Sequence, residues 1–383
     1  MKSRVGIVHI TILHDRYDTR IFQKECLSLR NSYDVTLIVN DHLGDEFTNG
    51  IRIIDLHLEK GNRLVWVRNS VNRISEILEE IRPRIVHVHD PELLWLYCKM
   101  KHKFLFVFDL HDDLVLQVLE KEYISKFLRR PVSWCSSIFL TSFIKRIDGL
   151  ITAADYMTDK YRYYNPRSIT IWNYPVLSEF KPKVDFTLGN QIRILFIGTA
   201  YTGRSLENLC EIITEPEFRH AFSLTIIGEV SELLLGKIRR FIEAGNIELL
   251  PPMKYHNLYD IMQSYDIGFI CDYKFGRNEQ IIPIKILEYM AAGLPVIGSN
   301  LPKIKSIIQE CGNGFIVDLD EENDSIRAIL RQVLNRPQML KELGINSLNG
   351  VKDYSWWKMK SKLLDFYGDI LSNGYVRLDD SLQ

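Results

Sequence analysis

The stretch Gln280–Asn300, QIIPIKILEYMAAGLPVIGSN, decides the fold. It divides into a loop, a short helix, a tight turn and a buried strand. Pro283 has a preset φ and no N–H, which suits the first turn of a helix. Ile284, Leu287 and Ala291 then fall on one helical face. Gly293 stands where a helix end takes a left-handed residue. Leu294–Ile297 reads as the start of a buried strand. Lys285 and Glu288 are three apart and share a side turned away from that core face. A charged pair at a helix start, facing the carboxyl edge of a sheet, is where an α/β protein holds a phosphorylated ligand. An ordinary surface pair has the same spacing, so the rest of the chain has to decide.

Outward from this motif, strand-like and helical segments alternate. Val5–Ile12, Val35–Val39, Ile51–Leu56, Ile85–Val88, Phe104–Leu110 and Gly149–Ala153 are short and rich in β-branched or aromatic residues. Helical patterns such as Ile21–Leu29 and Val71–Ile81 lie between them. A second set comprises Ile192–Ile197, Ser223–Ile227, Ile247–Leu249, Ile267–Ile270, Pro295–Ile297 and Gly314–Val317. The polar, proline-bearing link Ser178–Asn190 separates the two sets. The alternation predicts an α/β protein of two doubly wound, Rossmann-like domains, 1–180 and 190–353, facing across a cleft. The aromatic, amphipathic segment Tyr354–Leu371 predicts a helix packing back on the first domain, and polar Asn373–Gln383 a frayed end.

The composition is that of a globular protein, with 46% hydrophobic and 25% charged residues among 383. That length exceeds one core. A formal net charge of −1 argues against a nucleic-acid partner. The six cysteines contain no CxxC pair and read as reduced and buried, as in a cytosolic protein. The start, MKSRVGIVHITIL, mimics a leader but is broken by His9 and reads as a strand. No apolar run approaches the length of about 18 residues that spans a bilayer.

Three places carry chemistry. Gly198–Ser205, GTAYTGRS, follows a strand and precedes a helix. It nearly matches a phosphate-binding P-loop, with Arg204 where the lysine belongs, and no magnesium-binding partner is evident. A glycine turn, an arginine fork and a helix start still make a diphosphate site, although a turn with a solvent-facing arginine has the same look. No GxGxxG follows the first strand, which argues against a nicotinamide or flavin enzyme. VHVHDPELL puts His89, Asp90 and Glu92 at one strand end, and FDLHDD puts His111 and its carboxylates at another. Two such pairs on one sheet suggest a site that orients hydroxyls or supplies a base. His89, Asp90, His111 and Asp112 would be the set for a metal, but no pair has helical spacing, and no metal is expected. The loop His14–Arg20, with Asp15, Arg16 and Arg20, lies at the same edge. Finally, Lys126, Arg129, Arg130, Lys145 and Arg146 flank an uncharged run in 124–146 that suits either an interfacial or an ordinary packed helix.

With these residues in place the chain resembles a GT-B glycosyltransferase of the large retaining family 4. PIKILEYMAAGLPVIGSN resembles that family's donor-binding motif. HDRYDTRIFQKECLSL, HDPELL, FDLHDD, ITIWNYP and YSWWKMKSKLLDFY resemble a bacterial branch acting on surface polysaccharides. The resemblance implies that Glu288 holds the ribose of a nucleotide-sugar, that Arg204 and Lys285 meet its diphosphate, and that Gly198 lets the backbone approach. It implies His111 at the reacting carbon, and Asp15, Arg16, Arg20, His89, Asp90 and Glu92 on the acceptor side. Where the family carries a first glutamate, this chain has Gln280, and Thr199 replaces an arginine.

The implied reaction is transfer from a nucleotide-diphosphate sugar, a UDP-sugar, to a hydroxyl of a lipid-linked or growing glycan. It would retain the anomeric configuration and need no metal or other cofactor. The implied place is the cytoplasm or the inner face of the membrane. A UDP-sugar 2-epimerase on the same architecture and a non-catalytic transferase-like binding subunit are the alternatives.

Overall fold

The computed structural model describes residues 4–120, 124–202, 204–243, 245–273 and 279–379. Gly203 of the glycine turn and Tyr123, which opens the basic segment, lie outside the described residues. The chain divides into two compact units. One comprises Met1–Asn173 with Trp356–Gln383, the other Tyr174–Ser355.

The first unit is built on eight strands: β1 Gly6–Ile10, β2 Asp34–Val39, β3 Glu46–Thr48, β4 Ile51–Asp55, β5 Ile85–Val88, β6 Leu105–Leu110, β7 Gly149–Thr152 and β8 Ser168–Thr170. Their order is β3-β4-β2-β1-β5-β6-β7-β8. The chain winds outward from β1 in one direction and then from β5 in the other. The carboxyl ends of β1 and β5 therefore form a switch point, where open α/β sheets bind ligands. Helices cover the central strands on both faces, so β5 and β6 are buried throughout, His87 and Asp109 included.

The second unit has six parallel strands: β9 Ile192–Ile197, β10 Phe222–Ile227, β11 Ile247–Leu250, β12 Ile267–Ile270, β13 Val296–Ser299 and β14 Gly314–Val317. The order β11-β10-β9-β12-β13-β14 places its switch point between β9 and β12.

Some expectations need correction. β3 pairs antiparallel with β4 through the two-residue turn Asn49-Gly50. Both residues have positive φ (53° and 78°), the conformation for which Asn-Gly is the strongest hairpin signal. The last helix runs Trp356–Asp379, past the predicted end, and Gly374 packs tightly on Leu105 where the polar sequence suggested fraying. Its stripe Leu363, Phe366, Tyr367 and Ile370 is buried in the first unit, and Trp356 Nε1 donates to Ser28 Oγ at 2.9 Å. Cys98 and Cys135 are exposed, not buried. Among the described residues no helix is long and apolar enough to cross a membrane.

Candidate active site

In the second unit the helix Ile284–Ala291 delivers the charged pair. Pro283 stands at its N-cap, one place before the first turn. Tyr289 fixes the helix to the sheet: its hydroxyl accepts from Ile197 N at 2.9 Å and donates to Phe269 O at 3.3 Å. Glu288 is buried at 1% exposure, which corrects the outward face expected for it. Its Oε2 accepts from Lys285 Nζ at 2.7 Å and its Oε1 from the Tyr259 hydroxyl at 3.2 Å. Tyr259 is itself stacked on Phe180. Burial, and then Glu288, push its phenol far up, so it remains a donor. A carboxylate held this way offers a fixed anionic acceptor to paired hydroxyls. Gln280 is exposed, in the turn before Pro283.

At the switch point of this sheet, Gly198 follows β9 with φ 126°, and Gly228 follows β10 with φ 146°. A Cβ on Gly228 would meet Gly198 O at 2.2 Å, so the two loops can touch only as glycines. Arg204 lies across the ring of Tyr201, 4.7 Å from its centroid. Its Nε is 3.1 Å from Asp272 Oδ1, just beyond β12. Burial raises the Asp272 carboxyl, and Arg204 pulls it back only in part. The guanidinium is therefore ion-paired and only partly exposed. Ser205, next in line, has a buried hydroxyl without a hydrogen-bond partner among the described residues.

In the first unit the ends of β1, β5 and β6 converge. His111 Nε2 is 3.0 Å from Asp109 Oδ2 and 3.0 Å from His89 Nδ1. Asp109 belongs to β6 rather than to the following loop and is fully buried. Burial alone would raise its carboxyl, but Arg20, His111 and His89 outweigh that and hold it well below the usual range. Asp90 is likewise buried. Its oxygens accept from Ile12 N at 2.6 Å and from Thr11 Oγ1, and stand 3.2 Å from His14 Nδ1. That contact raises the His14 imidazole. An open cavity of about 740 Å³ begins at His14, His89 and His111. Its walls are mostly apolar, from Leu13, Val67, Trp95, Leu110, Leu114 and Phe139. Glu92 borders it and is paired with Arg63.

Three expected acceptor-side residues do not line this cavity. Arg16 forks onto Asp41 at 2.8 and 2.7 Å and reaches Glu46 at 2.9 Å. Arg20 is buried, forking onto Asp109 at 2.8 and 2.9 Å and donating to Ile171 O at 2.7 Å. Each is consumed by a carboxylate that the linear sequence does not place beside it. Asp15 is exposed and borders a smaller cavity with Asp41 and Lys60. Asp109, Asp272 and Tyr259 were missed as site residues, and His14 was named only as the first residue of the charged loop. For Asp109 the signal was an acid inside an otherwise apolar strand, and for Asp272 an acid at a strand's carboxyl end.

Comparison with known proteins agrees with this architecture. Residues 191–335 match the family described as glycosyl transferases group 1, and residues 26–176 match glycosyltransferase family 4. Among curated proteins no sequence relative matches. The fold is shared with sucrose-phosphate synthase from Thermosynechococcus elongatus (TM-score 0.76, 12% identity, 97% of this chain and 100% of that one). It is also shared with WaaG, a glycosyltransferase involved in lipopolysaccharide biosynthesis (0.66, 12%, 94% and 98%). A third is HepE of Anabaena, solved in complex with UDP-glucose (0.67, 12%, 95% and 100%). Two Rossmann-like sheets and a long C-terminal helix make this the GT-B fold. The chain belongs to the group 1, family 4 glycosyltransferases, enzymes that transfer glycosyl groups.

Proposed function

We propose that this enzyme moves a sugar from a nucleotide-diphosphate sugar, a UDP-sugar, to a hydroxyl of a lipid-linked or growing bacterial surface glycan, with retention at the anomeric carbon. The observation that carries the reading is the buried Glu288, fixed by Tyr259 and Lys285 at the start of a helix at the sheet's carboxyl edge. Glu288 takes the ribose hydroxyls. Lys285 and Arg204 take the diphosphate, which the close-set Gly198 lets approach. The bond from the anomeric carbon to the diphosphate oxygen breaks while the bond to the acceptor oxygen forms on the same face. The acceptor proton goes to a diphosphate oxygen. Cations and helix N-termini stabilise the leaving group in place of a metal.

His111, oriented by Asp109, serves the reacting centre, and His89, Asp90 and Glu92 serve the acceptor side. The apolar cavity beside His111 favours an acceptor with a lipid part. The exposed stripe Phe127, Pro131, Trp134 and Ile138 of the helix Lys126–Ile144 favours peripheral contact with the inner face of a membrane.

Calorimetry with UDP tests the donor assignment. Glu288→Ala and Arg204→Ala each weaken binding, and unchanged affinity in both would overturn it. His111→Ala mainly lowers turnover. Activity persists with EDTA present. A panel of donors separates the alternatives: acceptor-dependent nucleotide release marks a transferase, acceptor-free epimerisation an isomerase, and silence a binding subunit.

A further inference from the structure

Beneath the His111 site lies a second cluster, which shares only His89 with it. His87 on β5 and His89, one residue past its end, are two apart and share one side of the sheet. His9 on β1 is the register partner of His87. Glu25 enters the same space from the turn Ile21–Cys26, a wide turn closed by bonds such as Glu25 N to Arg20 O at 3.0 Å. All four side chains are buried. One ring nitrogen from each histidine and one carboxylate oxygen lie within 4.8 Å of one another.

The directions of these groups matter more than their proximity. His9 Nδ1 is 3.0 Å from His89 Nε2, a separation bridged by one shared proton or one ion. His87 Nε2 has no hydrogen-bond partner among the described residues, while the Glu25 carboxyl faces Arg20 and the Asp109 carboxyl. Arg20 Nε stands 3.2 Å from Glu25 Oε1, while Oε2 lies 4.0 Å from His9 Nδ1. Native interiors rarely leave buried polar atoms unmatched. The opposite ring nitrogens are all held from behind. The Tyr367 hydroxyl is 2.6 Å from His87 Nδ1 and 3.3 Å from His9 Nε2. His89 Nδ1 meets His111 at 3.0 Å and lies 3.6 Å from Asp109. Imidazoles oriented from behind, each presenting one nitrogen to a common centre, are how proteins prepare metal ligands.

We propose that His9, His87, His89 and Glu25 bind a divalent transition-metal ion, Zn²⁺ by its preference for a four-coordinate set of imidazole and carboxylate. Four protein ligands leave no position for water, so the ion is structural and takes no part in activating the donor. It joins β1, β5 and the Ile21–Cys26 turn, with Tyr367 of the last helix behind it, and sets the His89 ring on which His111 rests. The inference is independent of the donor reading, because an enclosed ion resists a chelator added to the folded enzyme.

The test is metal analysis of the full chain, purified without a metal-binding tag and unfolded in guanidinium with a colorimetric chelator. We expect one zinc per chain. Refolding with Zn²⁺ should raise Tm over refolding with chelator, and Co²⁺ should give visible d–d absorption. Tyr367→Phe should weaken Zn²⁺ binding about 10- to 100-fold. His87→Gln should lose the metal, while His57→Gln, an exposed control, keeps it. Background metal as isolated, together with no uptake and no Tm change on refolding in Zn²⁺, would overturn the site whatever the variants do.

Discussion

At the residue scale, the buried charges sort themselves by whether a partner already holds them. Arg20 and Asp109 form a fully buried fork, so Arg20 supports the structure instead of touching an acceptor. Removing one partner of such a pair strands the other, at a cost of about 3–5 kcal/mol. Arg20→Met is therefore expected to lower the denaturant midpoint strongly while leaving the acceptor KM of the surviving folded enzyme unchanged. A raised KM with unchanged stability would return Arg20 to the acceptor site. Asp272 poses the opposite case. It holds Arg204 at 3.1 Å and would lie close to the anion that Arg204 is proposed to bind. Asp272→Asn removes that competition, so UDP affinity should rise about fivefold, the worth of a partly exposed ion pair. Weaker binding in calorimetry would mean that Asp272 instead positions the guanidinium.

At the element scale, the helix Ile284–Ala291 sits against β12 because Gly268 leaves room for Tyr289. A Cβ at Gly268 would lie 2.4 Å from the tyrosine ring. Gly268→Ala should therefore cost about 1–3 kcal/mol by overpacking, and UDP affinity should fall with Tm, because the shifted helix carries Glu288. A loss of stability with intact affinity would separate the helix from the site. This coupling was only half legible in the sequence. Alternating apolar runs gave twelve of the strands because buried parallel strands must be apolar on both faces. The short edge strand β3 was missed although Asn49-Gly50 marks its turn, and β8 was missed because three residues carry too little pattern. Glu288, His111 and Arg204 could be singled out because motif spacing is local. The partners Tyr259 and Asp272 could not, since only the fold brings residues 29 and 68 positions away into contact, whereas Asp109, two residues from His111, was read as part of the loop instead of β6. His9 and His87 were legible only as strand residues, for their convergence with His89 depends on register.

At the scale of the whole molecule, charge and apolar surface are both concentrated on one helix. The formal net charge is only −1, yet 124–146 holds Lys126, Arg129, Arg130, Lys145 and Arg146 without an acid. On the same helix Phe127 is 91% and Trp134 67% exposed. Exposed aromatics on a basic helix are unfavourable in water and favourable at an anionic lipid surface. These two contributions respond differently to salt. Raising ionic strength from about 0.01 M to about 1 M shortens electrostatic reach from roughly 30 Å to roughly 3 Å and leaves apolar insertion in place. Sedimentation with anionic vesicles should therefore show a salt-sensitive part that Arg130→Glu reduces and a salt-resistant part that Trp134→Ser reduces. Neutral vesicles should recover only the second part. Equal recovery with neutral and anionic vesicles at low salt, unaffected by either substitution, would mean that the helix does not bind membrane. The apolar cavity beside His111 would then have to take its acceptor from solution.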